Sequence, residues 1–70
     1  MRVTTNGEVR EYPEGTTLAE LVAHLTATAD TGPSGVAAAV NEAVVPRSRW
    51  AATALREGDR VEVLTAVQGG

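Results

Sequence analysis

Val61-Glu62-Val63-Leu64-Thr65-Ala66-Val67-Gln68-Gly69-Gly70 is the stretch whose reading decides the fold. Its first part alternates with a period of two and is rich in β-branched residues, with Val61, Val63 and Val67 on one face. It therefore reads as a strand. The last two residues have no side chains, so the strand runs out into a bare end. A buried strand anchors such an end, and a glycine tail leaves it free to reach into another molecule. The division expected is a folded domain over 1–67 and a flexible tail over 68–70.

For this strand to be protected it belongs in the middle of a sheet, and the rest of the chain supplies the neighbours. Asn6-Gly7 is a strong hairpin signal, because a type I′ turn needs positive φ at both central positions. It joins a strand through Thr5 to a second over Glu8–Tyr12, with Val9 expected on the core side. Pro13-Glu14-Gly15 breaks that strand. Thr17-Leu18-Ala19-Glu20 is a capping box, a hydroxyl followed three residues later by a carboxylate. Behind it Leu18, Leu21, Val22 and Leu25 form one apolar stripe of a three-turn helix.

Thr26 to Gly35 has no period and much turn chemistry, and reads as a mobile loop. Val36–Val40 is ambiguous by periodicity, but its length and the flanking Gly35 and Asn41 favour a buried strand. Asn41-Glu42 turns the chain into a brief strand over Ala43–Val45, ended by Pro46. Trp50, Ala51, Ala54 and Leu55 fall at helical spacing within Ser48–Leu55, with Gly58 as the expected stop. A hairpin, a helix crossing one face and further strands describe an α+β fold, a mixed sheet of about five strands on one main helix with a short second helix. The last strand is expected beside the first, and the crossover through the helix places the first strand parallel to a later one.

Seventy residues make a single small domain. With no cysteine there is no disulfide framework, no thiolate nucleophile and no cysteine metal site. No apolar run approaches membrane-spanning length, and a cytoplasmic, soluble protein is expected. A net charge of −3 argues against nucleic acid, which needs a basic footprint. All six basic residues are arginines, so the chain has no ε-amine for a Schiff base or an isopeptide bond.

Each group that resembles a chemical site has a plainer reading. His24 is the only histidine, lies off the apolar stripe and has no partner ligand for a metal. Glu57 and Asp59 flank Gly58 and read as solvated turn residues, since acid–base work requires a cleft. In Arg47-Ser48-Arg49-Trp50 the tryptophan reads as a plug at the core edge, with Arg47 and Arg49 left for partner contacts. Gly32-Pro33-Ser34-Gly35 lacks the lysine of a phosphate-binding loop. An independent enzyme is not expected. What remains is the α-carboxylate of Gly70. Three extended tail residues reach roughly 10 Å, and without Cβ atoms they thread a narrow channel.

In this order and at this length the pieces are specific. They are the Asn6-Gly7 hairpin, the Thr17–Leu25 helix, Ala39-Val40-Asn41-Glu42, Val45-Pro46-Arg47 with Trp50, and Glu57-Gly58-Asp59-Arg60-Val61-Glu62 leading to Ala66-Val67-Gln68-Gly69-Gly70. The chain resembles the ThiS family of sulfur carriers of thiamine biosynthesis, within the ubiquitin-like β-grasp superfamily. The resemblance implies that a ThiF-type activating enzyme, using ATP and magnesium, adenylates the carboxylate of Gly70. Sulfur from a cysteine desulfurase persulfide then replaces the adenylate to give a thiocarboxylate. A ThiG-type thiazole synthase receives that sulfur. On this reading Gly69 and Gly70 thread the partner's active site, and Leu64, Ala66 and Gln68 belong to the docking surface. The chain binds no cofactor or metal of its own, and is a monomer when free.

Three other readings remain open at the level of sequence. One is a MoaD-like carrier for molybdopterin, or a carrier serving cysteine, a thiolated tRNA base or a natural product. Another is a ubiquitin-like protein modifier. The third is a plain interaction domain whose glycines are inert.

Overall fold

The computed structural model describes residues 1–26 and 35–65. Five strands, β1 (Arg2–Thr5), β2 (Glu8–Glu11), β3 (Val36–Val40), β4 (Ala43–Val45) and β5 (Arg60–Thr65), form one mixed sheet in the order β2-β1-β5-β3-β4. β1 and β5 are parallel, with Thr5 beside Val61, and every other pairing is antiparallel. The last strand is therefore the middle one. Helix α1 (Leu18–Thr26) packs on one face of the sheet, and a 3₁₀ helix (Arg47–Ala52) follows β4.

Both hairpins turn on asparagine. Asn6 and Gly7 have φ of 49° and 85°, the left-handed pair of a type I′ turn. Asn41 and Glu42 repeat the pattern with φ of 49° and 72°, so here a glutamate occupies the second left-handed position. α1 opens on the capping box: the Glu20 N–H donates to Thr17 Oγ1 at 3.2 Å, and the Thr17 N–H donates to Glu20 Oε1 at 2.9 Å. Leu18, Leu21 and Val22 point into the core, where they meet Val3, Ala38, Val61 and Val63 from the sheet. Trp50 and Leu55 close its edge. Burying an aliphatic side chain of this size contributes roughly 1.5–3 kcal/mol.

Three expectations change in detail. Val9 does not face the core: it is 67% exposed. It pairs with Thr4, and Thr4 lies between the buried Val3 and Thr5, so register puts Val9 on the face that α1 does not cover. The Val36–Val40 run is buried on one face only: Ala38 is buried on the core side, and Ala37 is exposed on the other. The short helix is a 3₁₀ segment that ends well before Gly58. Thr53 is already extended (φ −100°, ψ 98°), because the chain then pairs with the entry to α1. There the Leu18 N–H donates to Thr53 O at 2.8 Å and the Leu55 N–H to Thr16 O at 2.9 Å. The loop expected at Thr26–Gly35 lies, apart from its two ends, outside the described residues, as does the tail.

Glu42 generates a test of the second hairpin. A non-glycine residue in the left-handed region costs about 1–2 kcal/mol. Its exposed ion pair with Arg60 at 3.5 Å returns about 0–1 kcal/mol. Glu42→Gly is expected to stabilise the protein by about 0.5 kcal/mol, a rise of roughly 2–4 °C in Tm. An unchanged or lowered Tm in a thermal melt followed by circular dichroism contradicts this account of the turn.

Candidate functional site

β5 sets the site because successive side chains of a strand alternate between faces. Val61 and Val63 go under α1, which leaves Glu62 and Leu64 on the open face. Leu64 is 71% exposed, and its cross-strand partner on β3 is Ala37. Ala39 lies beside Glu62 on one side and Val44 of β4 on the other. Together Ala37, Ala39, Val44 and Leu64 floor a shallow depression of about 310 Å³ bordered by Glu42 and Glu62. Val44 is 77% exposed, and Val9 lies on the same side of the sheet. The three large hydrophobic residues exposed among the described residues thus share one face.

Sequence reasoning placed Leu64 on this face, and the structure agrees. It missed Val44, Ala37 and Ala39, whose positions follow from the same alternation once the β3–β4 register is known. Ala66, Gln68, Gly69 and Gly70 lie outside the described residues.

The other candidates resolve into structural roles. His24 is exposed, and its ring meets Tyr12 edge-on at 6.4 Å between centroids. Both line an open groove with Glu11, Glu14 and Glu20 between β2 and α1. Among the described residues no three metal-binding side chains cluster. The Glu57 carboxylate accepts the Arg2 N–H at 2.9 Å. Asp59 accepts from the Arg56 N–H at 2.8 Å and from Asn41 Nδ2 at 3.1 Å. These two carboxylates therefore fasten a turn to its neighbours rather than face each other across a cleft. Trp50 is buried, with its indole N–H donating to Val45 O at 2.8 Å, while the Arg47 guanidinium sits 5.8 Å from the ring centroid. Arg47 and Arg49 are exposed.

The described part of the protein thus offers an apolar sheet face around its central strand, and the sequence continues from that strand to Gly70. The ThiS family model matches residues 3–70. The chain belongs to the ThiS family. It is 30% identical over the full length of both chains to the sulfur carrier protein ThiS of Escherichia coli strain K12. The crystal structure of the thiamine biosynthesis protein ThiS from Geobacter metallireducens superposes with a TM-score of 0.78 at 30% identity, each chain fully covered. A solution structure of a thiamine biosynthesis protein from the same organism gives 0.76 at 29% identity, over all of this chain and 88% of the other. The ThiS assignment carries the β-grasp fold with it and makes the chain a sulfur carrier of thiamine biosynthesis, not a catalyst. No helix among the described residues is long and apolar enough to cross a membrane.

Proposed function

We propose that the sulfur is carried on the C-terminal carboxylate of Gly70, as a thiocarboxylate, and that the open face of the sheet docks the enzymes that load and unload it. A carboxylate is a poor electrophile, so it must first be activated. In a ThiF-type enzyme a Gly70 carboxylate oxygen attacks the α-phosphorus of ATP, pyrophosphate leaves, and an acyl-adenylate forms. Magnesium and ATP are assigned to that enzyme and not to this chain. The outer sulfur of a cysteine desulfurase persulfide then attacks the Gly70 carbonyl, AMP departs with the bonding electrons, and an acyl disulfide is left. A thiol reductant attacks the donor's sulfur in that bond, forming a disulfide and releasing the thiocarboxylate. A ThiG-type thiazole synthase passes the sulfur to its acceptor substrate, and an oxygen from that acceptor or from water takes its place on Gly70, which regenerates the carboxylate.

The observation that carries this reading is the position of β5. β5 is the central strand of the sheet, while Leu64 on that same strand is left exposed. One strand thus bears both the docking residue and the run to Gly70. The glycines suit the chemistry, since no Cβ hinders attack at the terminal carbonyl or blocks entry to a narrow channel.

Incubation with the activating enzyme, ATP and a sulfide source should yield a chain with one oxygen replaced by sulfur, as read by intact mass. Deleting Gly70 should abolish the change. Attachment to protein amines in place of sulfur uptake would overturn the carrier reading in favour of a modifier. On the sheet face, Leu64→Asp is exposed and should leave Tm nearly unchanged, within about 0.5 kcal/mol in stability. It should nevertheless slow adenylation or sulfur transfer by about tenfold or more, as expected for an apolar contact at an interface centre. Unchanged rates in both steps would remove Leu64 from the docking surface.

A further inference from the structure

Asn6 does more than form a turn. Its backbone N–H donates to Val61 O at 2.9 Å, continuing the β1–β5 ladder one residue past the end of β1. Its side chain then takes the next rung. Asn6 Oδ1 accepts the Val63 N–H at 2.8 Å, and Asn6 Nδ2 donates to Val63 O at 3.2 Å. The carboxamide has one acceptor and a donor group side by side, so it satisfies both backbone groups of Val63 as a strand residue would. On this side of β5 the rungs fall at Asp59, Val61 and Val63, and the third is made by a side chain from 57 residues away. β1 itself cannot supply it, because the chain has already turned at Asn6-Gly7.

Val63 is where this support is needed. On the opposite edge β3 pairs with β5 as far as Thr65. Without Asn6, the half of β5 beyond Val61 would be held from one side only. That half carries Leu64 on the open face, and Gly70 follows Val63 by seven residues, at most about 25 Å of extended chain. Asn41 offers a natural comparison. It too is a turn asparagine with φ of 49°, and its Oδ1 accepts the Arg60 N–H at 3.0 Å. It grips the start of β5, away from the tail, while Asn6 grips the end that leads there.

We propose that Asn6 is a positioning residue for the sulfur-loading reaction, holding Val63 in place so that Leu64, its neighbour on β5, is presented to the loading enzyme in one fixed position on the open face. This rests on the carrier reading above. Asn6 touches no reacting atom and acts through β5.

Asn6→Gly and Asn41→Gly provide the test, because glycine keeps each left-handed turn and removes only the side-chain grip. In Asn6→Gly the Val63 amide should exchange with solvent about tenfold faster or more, the expected consequence of losing one hydrogen bond to a local opening. kcat/KM for loading by the activating enzyme should fall roughly tenfold, the scale of a slightly misplaced reacting group. Asn41→Gly should lower Tm by a similar amount and leave kcat/KM within about twofold of wild type.

Equal losses of kcat/KM in the two variants would reduce Asn6 to a stability residue and overturn the proposal, as would unchanged Val63 exchange in Asn6→Gly. Should Asn6→Gly not fold, Asn6→Asp keeps the turn and the acceptor but lacks the donor to Val63 O, and the loss of kcat/KM relative to Asn41→Gly decides. A wild-type chain that takes up no sulfur contradicts the carrier reading itself. The Val63 exchange rate then still decides whether Asn6 holds the strand.

Discussion

The pairing of β5 between β1 and β3 is the constraint on which the rest of the structure depends. A parallel neighbour requires a crossover, and α1 is the element that makes it, so the helix and its cap exist in the service of that pairing. Once β5 is central, Val61 and Val63 are committed to the helix face and Leu64 to the open one. The core then forms around the two valines, with Leu18, Leu21 and Val22 above them and Trp50 and Leu55 at the edge. No other strand has neighbours whose identities fix so much of the chain.

Two opposite demands meet on this strand. Its first residues are tied down by backbone rungs to β1 and β3 and by the Asn41 carboxamide. Toward its end the rungs on one side are reduced to a single side chain, that of Asn6. The proposed working group, the Gly70 carboxylate, lies beyond it. A carrier needs a stable body and a terminus that can be handed between enzymes. The support graded along β5 serves the first of these needs at its start and Asn6 extends it toward the second.

Much of this was legible in the sequence because the deciding signals are local. Asn6-Gly7 dictates its turn by backbone sterics, and the Thr17/Glu20 box dictates a helix start through two hydrogen bonds three residues apart. The central place of β5 followed from its alternation together with the crossover rule. Local signals do not say which face of an edge strand is covered, and that is why Val9 was misplaced: its β-branched side chain suits a strand, but register with Thr4 decides its side. Nor could they show that the segment around Trp50 would be cut short, since pairing of Thr16–Leu18 with Thr53–Leu55 is a long-range event. The grip of Asn6 on Val63 spans 57 residues and was hidden behind the residue's obvious role in the turn. On the site, alternation exposed Leu64, whereas Val44, Ala37 and Ala39 needed the β3–β4 register. The Gly70 assignment came from the resemblance and from the scarcity of other chemistry.

The central claim is that this small body exists to hold out a sulfur atom on Gly70 and give it up. Loading the chain with isotopically heavy sulfur, and then supplying it to a thiazole synthase with the remaining thiazole precursors, tests that claim most directly. Heavy sulfur should appear in the thiazole product while the carrier returns to its carboxylate mass. Unlabelled product, or a carrier that stays loaded while thiazole forms, would contradict it.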